Sequence, residues 1–138
     1  MLNAIPAMPV LDIERSIEFY RDKLGFALAV RKEGWARLTR DEVAVELWTA
    51  NDEAWRERQT GPCPVISGAE SFIAGTASFR VEVTGVDALH RTLEHMGIIH
   101  PRGQLQDEPW GIRDFAVLDP DNNLISFFEK LTALSAGK

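Results

Sequence analysis

Few side chains in this 138-residue chain could do covalent or metal chemistry, and their spacing sorts them quickly. His90 and His95 fall on one expected helix at i and i+5, which turns them in different directions; the i, i+4 spacing that shares a face is absent. His100 follows that helix, just before Pro101. A catalytic zinc needs at least three protein ligands, so the histidines read as boundary or solvent-facing residues. Cys63 stands between two prolines with no histidine near it in sequence, which leaves its thiol without an activating base. Ser67-Gly68 and Gly75 lack the GxxxxGK[ST] spacing of a phosphate cradle. What remains is a set suited to noncovalent recognition: Trp35, Trp48, Trp55 and Trp110, with Glu46, Arg80, Ser126 and Phe128. Aromatic walls with a few polar groups are what small-molecule sites show, and they hold flat or cationic ligands by stacking and cation–π contact.

The elements that must position these residues are legible from pattern. "AIPAMPVL" (4–11) is short, apolar and proline-bearing, which suits an edge or terminal strand. Asp12 is placed to cap a helix over 13–24, in which Ile13, Ile17, Tyr20 and Leu24 recur at helical spacing before Gly25. Three strands follow: "FALAVRK", "WARLT" and "VAVELWT". In the last, Val43, Val45 and Leu47 share one face, and Ala44, Glu46 and Trp48 the other. Trp35 and Arg37 share a face of the strand before it. Residues 51–75 break the pattern and form an expected functional loop, with a short helical turn near 52–58. The pattern then restarts. "ASFRVEV" (77–83) sets Ser78, Arg80 and Glu82 against Phe79, Val81 and Val83. "TGVD" resembles a capping box through Thr84 and Asp87. Val86, Leu89, Leu93 and Met96 form a helical stripe ended by Gly97, and strands are expected near 99–106, 112–118 and 124–129. "KLGF" closing the first helix and "HMGI" closing the second echo one another, a repeat that points to two βαβββ modules. The reading is an α+β domain over 1–138, with modules at about 3–50 and 76–131, in which the modules pair into one curved sheet with helices outside and a ligand on the concave side.

Bulk properties narrow the partners. Composition is that of a globular chain, 45% hydrophobic and 26% charged. The longest basic cluster, Arg31-Lys32, is followed at once by Glu33. With a net charge of −6, this argues against nucleic acid and anionic membrane surfaces and is compatible with a cationic small molecule. A single cysteine excludes an internal disulfide and fits a reducing cytoplasm. "MLNAIPAMPV" does not read as a secretory signal, and no apolar run approaches the ~20 residues of a membrane span.

The motifs "MPVLDIERSIEFYRDKLGF" (8–26), "VAVELW" (43–48), "VEVTGVDALHRTLEHMGI" (81–98) and "PWGIRDFAVLDPDNNLISFFE" (109–129) together resemble the vicinal oxygen chelate superfamily. That superfamily includes glyoxalase I, extradiol dioxygenases and the bleomycin-resistance proteins. Pro109-Trp110-Gly111 followed by Arg113-Asp114-Phe115 and Asp119-Pro120 is most similar to the bleomycin-resistance branch. The resemblance implies a homodimer that sequesters a cationic glycopeptide antibiotic in grooves between subunits. It also implies where metal ligands would stand in an enzyme of this fold: Ile5, Glu46, Ser78 and Ser126. Only Glu46 is a carboxylate, and Glu82, at the parity of Ser78, would raise the count to two.

The expectation is therefore a cytoplasmic, metal-free and cofactor-free binding protein with no catalytic residues, its ligand bleomycin-like. Trp35, Glu46, Trp48, Arg80, Trp110, Gly111, Ser126 and Phe128 are its expected ligand-binding residues. Glu46 and Arg80 could instead face one another as a structural ion pair. The rivals are a metal-dependent lyase or dioxygenase of the same superfamily, and a metal-free enzyme using Glu46 as general base.

Overall fold

A computed structural model describes residues 1–50, 57, 60–61, 69 and 73–131. The expected turn near 52–58, Trp55, Cys63 and Ser67-Gly68 lie outside the described residues, apart from Glu57. Two compact units form: Met1–Ala77 with Pro120–Asn123, and Ser78–Asp119 with Leu124–Lys138.

In the first unit, α1 (Ile13–Asp22) starts where Asp12 accepts a hydrogen bond from the Arg15 N–H at 3.2 Å. It ends two residues earlier than the pattern predicts. Gly25 takes a φ of +74°, and the Phe26 N–H closes the end by donating to the Tyr20 carbonyl at 2.9 Å. The helix buries Ile17, Phe19 and Tyr20. The strands β1 (Ala7–Val10), β2 (Ala27–Lys32), β3 (Trp35–Arg40) and β4 (Val43–Thr49) form a mixed sheet in the order β1-β4-β3-β2. Met8, Val10, Ala36, Leu38, Val45 and Leu47 are sealed on the face that takes α1. Each large member contributes about 1.5–3 kcal/mol of burial. Period-2 alternation then forces Trp35, Arg37, Glu46 and Trp48 to the opposite face. β2 is exposed along its whole length and carries a register shift between Leu28 and Val30. Such a bulge, together with Arg31 and Lys32, disfavours edge-to-edge pairing.

The second unit repeats the order. β5 (Ser78–Glu82), α2 (Val86–Leu93), β6 (Gln106–Glu108), β7 (Ile112–Leu118) and β8 (Leu124–Lys130) give a sheet ordered β5-β8-β7-β6. Its core gathers Val81, Val86, Leu93, Phe115, Val117, Ile125 and Phe127. The α+β class and the repeated βαβββ order are those read from the sequence.

Two local expectations need correction. The box expected in "TGVD" does not form: Gly85 is the N-cap, at a φ of +77°, and no side chain on the helix caps it. The Glu129 carboxylate does so from β8, accepting the Gly85 and Val86 N–H groups at 3.0 and 3.1 Å. Asp87 is instead held by Arg113 at 2.7 Å. In place of the strand expected over 99–106 there is an isolated bridge at Ile99 and a short strand displaced to Gln106–Glu108. Pro101 has no N–H to donate, and the chain turns there, the Gly103 N–H reaching the His100 carbonyl at 2.8 Å.

The "DPDNN" turn has a structural task within the first unit. Asn123, fully buried, accepts from the Gly75 and Ala77 N–H groups at 3.0 and 3.2 Å and donates to the Pro9 carbonyl at 2.8 Å. Asp121 accepts from Arg15 at 2.9 Å and from the Leu11 N–H at 3.2 Å.

Candidate functional site

The first unit assembles four of its residues on one face. In the β3–β4 ladder Trp35 stands directly opposite Trp48, and Arg37 directly opposite Glu46. Arg37 donates to Glu46 Oε2 twice, from Nη2 at 2.6 Å and Nε at 3.0 Å. Both bonds go to one oxygen, which leaves Glu46 Oε1 without a hydrogen bond among the described residues. Within its own unit Glu46 is thus paired with Arg37. The connection between β3 and β4 is only Asp41-Glu42, and a connection that short sets the register that puts these charges face to face.

The Trp35 ring is already approached by cations of its own chain, with Lys32 Nζ at 5.9 Å and the Arg37 guanidinium at 5.6 Å from its centroid. Trp48 is flanked in register by Trp35 on one side and Pro9 on the other. Its indole N–H is shut off from solvent and meets no acceptor among the described residues. A buried donor left in that state costs about 1–3 kcal/mol.

In the second unit, Arg80 stands beside Ser126 on β5 and β8, and Glu82 beside Phe128. The Arg80 guanidinium lies over the Phe128 ring, 4.7 Å from its centroid. Asp114 is opposite Phe128 on the other side. Burial, then the neighbouring Glu108 carboxylate, pushes the Asp114 carboxyl above its ordinary range, and Arg80 partly offsets this. Sequence reasoning passed over Asp114 and Glu108; the period-2 alternation that placed Phe128 would have placed Asp114 on the same face. On the helix side, the Arg113 guanidinium holds the Asp87 carboxyl below the usual range through their hydrogen bond.

Trp110 and Gly111 form the tip of the β6–β7 hairpin, in a three-residue loop of Pro109, Trp110 and Gly111. The Gly111 N–H donates to the Glu108 carbonyl at 3.1 Å, and Gly111 takes a φ of +88°, which favours glycine. Trp110 is 67% exposed. An indole presented that openly at a fixed turn is available for stacking.

Of the four positions that the resemblance implies for metal ligands, Ile5, Ser78 and Ser126 carry no ionisable side chain. Ile5 precedes β1, and the residue beside Glu46 on that strand is Ala7. Among the described residues, no group of three or more His, Cys, Asp or Glu side chains is placed to hold a metal ion. The histidines serve local structure. His90 packs edge-on against Phe115, and His100 Nδ1 accepts the Arg102 N–H at 2.9 Å. His95 is exposed, 3.4 Å from Glu94.

The sequence matches the family model described as Glyoxalase/Bleomycin resistance protein/Dioxygenase superfamily over residues 4–127. A bleomycin resistance protein of Geobacillus stearothermophilus is 56% identical over 131 residues, covering 95% of this chain and 98% of that protein. A bleomycin resistance protein of Staphylococcus aureus matches to the same extent. Among solved structures, the bleomycin-binding protein of bleomycin-producing Streptomyces verticillus, complexed with copper(II)-bleomycin, aligns with a TM-score of 0.66. It covers 92% of this chain and 94% of that one at 23% identity, a likeness of fold.

Proposed function

We propose that this chain, which belongs to the glyoxalase/bleomycin resistance protein/dioxygenase superfamily, binds a bleomycin-type antibiotic and sequesters it without making or breaking a bond. The observation that carries this reading is the 56% identity, over nearly the full length of both chains, to a bleomycin resistance protein. The site chemistry supports it. Trp35, Trp48 and Phe128 offer aromatic surface on the sheet faces away from the helices, and Trp110 adds an exposed indole. Gly111 gives the Trp110 turn its shape, and Glu46, Arg80 and Ser126 supply the sparse polar groups. Stacking on such surfaces suits a flat heteroaromatic ligand, and the net charge of −6 favours a cationic one.

The metal-dependent rival asks for a donor set that the described residues do not assemble. The proposed working form is a homodimer in the cytoplasm. The single cysteine is in keeping with that compartment, and the resemblance to the resistance proteins supports the dimer.

Expression in a bleomycin-sensitive bacterium, followed by recovery of the drug from the protein, tests the proposal. The expected result is raised tolerance, with the antibiotic recovered chemically unchanged and the purified protein holding no stoichiometric nickel, zinc, iron or manganese. A modified drug, or a stoichiometric metal bound through Glu46, would overturn it.

A further inference from the structure

Resting on the ligand-binding reading above, we propose that Arg80 and Asp114 form a subsite for a primary carboxamide or carbamate of the ligand, on the face of the second sheet away from α2. Arg80 donates to the carbonyl oxygen of that group, and Asp114 accepts from its N–H groups. Both side chains, and those around them, belong to the second unit. The arginines on the two sheet faces are in different states. Arg37 is spent on Glu46. Arg80 makes no hydrogen bond or ion pair among the described residues. Its side chain is exposed, so a ligand reaches it directly. The Phe128 ring, 4.7 Å away at its centroid, takes one face of the guanidinium and leaves the N–H edge to bond. An arginine steadied in this way loses less freedom when it meets a planar acceptor.

The carboxyls nearby make the partner a neutral one. Glu82, on the same face of β5, is held by Lys130 at 3.6 Å. Asp114 stands directly opposite Phe128, and its carboxyl bonds to Glu108 rather than to Arg80. Burial and Glu108 both oppose its ionisation, so it does not capture the guanidinium. Glu108 also accepts the Gln106 amide at 2.7 Å. These acidic groups repel an anion, and Arg80 repels a cation at the same place. A carboxamide or carbamate carries no charge and sets an acceptor and two N–H donors in one plane. The spacing suits it. β5 and β7 flank β8, so their backbones lie roughly 10 Å apart. A carboxamide bonded at both ends spans roughly 8 Å, and Arg80 already leans inward over Phe128.

Arg80→Lys keeps the charge and loses the planar fork. It also identifies the Arg80 Nε–H cross-peak in a nitrogen–proton correlation spectrum by its loss. Because Arg80 is exposed, the variant is expected to melt within a few degrees of the parent. Asp114→Ala removes the other end of the subsite. Three pyridines are titrated, differing only in one group: nicotinamide, nicotinate and pyridylmethylamine. Nicotinamide is expected to move the Arg80 peak, and to move it less in Asp114→Ala. Bleomycin, which carries carboxamide groups, is expected to move the same peak and to bind each variant about tenfold more weakly. A larger shift with nicotinate or with the amine than with nicotinamide would overturn the neutral-group reading. A loss of binding in Arg80→Lys with none in Asp114→Ala would overturn the two-ended subsite. If bleomycin binds parent and Arg80→Lys equally, the subsite fails and the proposed function stands. If nicotinamide moves the peak and bleomycin does not bind, the proposed ligand fails and the subsite stands. An Arg80 peak unmoved by both nicotinamide and bleomycin overturns the subsite.

Discussion

Glu46 and Asp114 are the two carboxylates on the faces away from the helices whose surroundings differ most. Glu46 meets a guanidinium directly across its ladder, and cross-strand charge pairs of this kind contribute about 0.2–1 kcal/mol. Arg37 is 40% exposed, so solvent screening keeps the value at the low end. Glu46→Gln should therefore unfold in urea within about 1 kcal/mol of the parent. Asp114 has the opposite problem, with burial and Glu108 both resisting its ionisation. Its folded pKa lies above the unfolded value. The stability it contributes is full below the ordinary carboxylate pKa of about 3.9 and is lost as pH rises through the raised folded value. At neutral pH the ionised carboxylate is a net penalty. Asp114→Asn should thus raise the thermal midpoint near pH 7, by less than about 1 kcal/mol in stability after screening, and the gain should vanish at about pH 3. Thermal melts at both pH values check the sign.

At the scale of elements, two side chains hold the fold together from far away in sequence. Glu129 satisfies two N–H groups at the start of α2, where a negative charge also meets the positive end of the helix dipole. Glu129→Gln keeps only part of this and should cost about 1 kcal/mol; Glu129→Ala should cost about 1–2 kcal/mol. Asn123→Ala removes at least three hydrogen bonds from a fully buried amide and leaves backbone groups unpaired. Its expected cost is about 3 kcal/mol or more, read as a lower urea midpoint at unchanged slope. These two residues also show where the sequence is legible and where it is not. Alternation in "VAVELWT" places Glu46 and Trp48 correctly because a strand has only two faces. Asp12 and Gly25 bound the first helix because caps act within a few residues. Glu129 caps a helix more than forty positions earlier, which no local pattern carries, and Thr84 and Asp87 imitate a box that this distant carboxylate makes unnecessary. The sixth strand begins only at Gln106 because Pro101 lacks an N–H and the chain turns at Gly103. The Arg37–Glu46 pair was within reach, since the short Asp41-Glu42 connection sets its register.

Across the whole chain, each unit carries aromatic rings and charged side chains on the sheet face away from its helix. Glu46 alone among the four implied ligand positions retains a carboxylate. Ser126 sits beside Arg80, a cation, which would oppose a metal ion there. Light scattering on the purified protein should give twice the monomer mass, because the proposed ligand grooves lie between subunits. Sequestration further requires that binding be tight, reversible and independent of added metal catalyst. Calorimetric titration of the purified protein with bleomycin, with tryptophan fluorescence followed in parallel, tests this most directly. The account predicts saturable binding at micromolar concentration or tighter, a change in indole emission, and intact bleomycin on release. Absence of heat and of any fluorescence change at those concentrations, or release of a chemically altered drug, would contradict it.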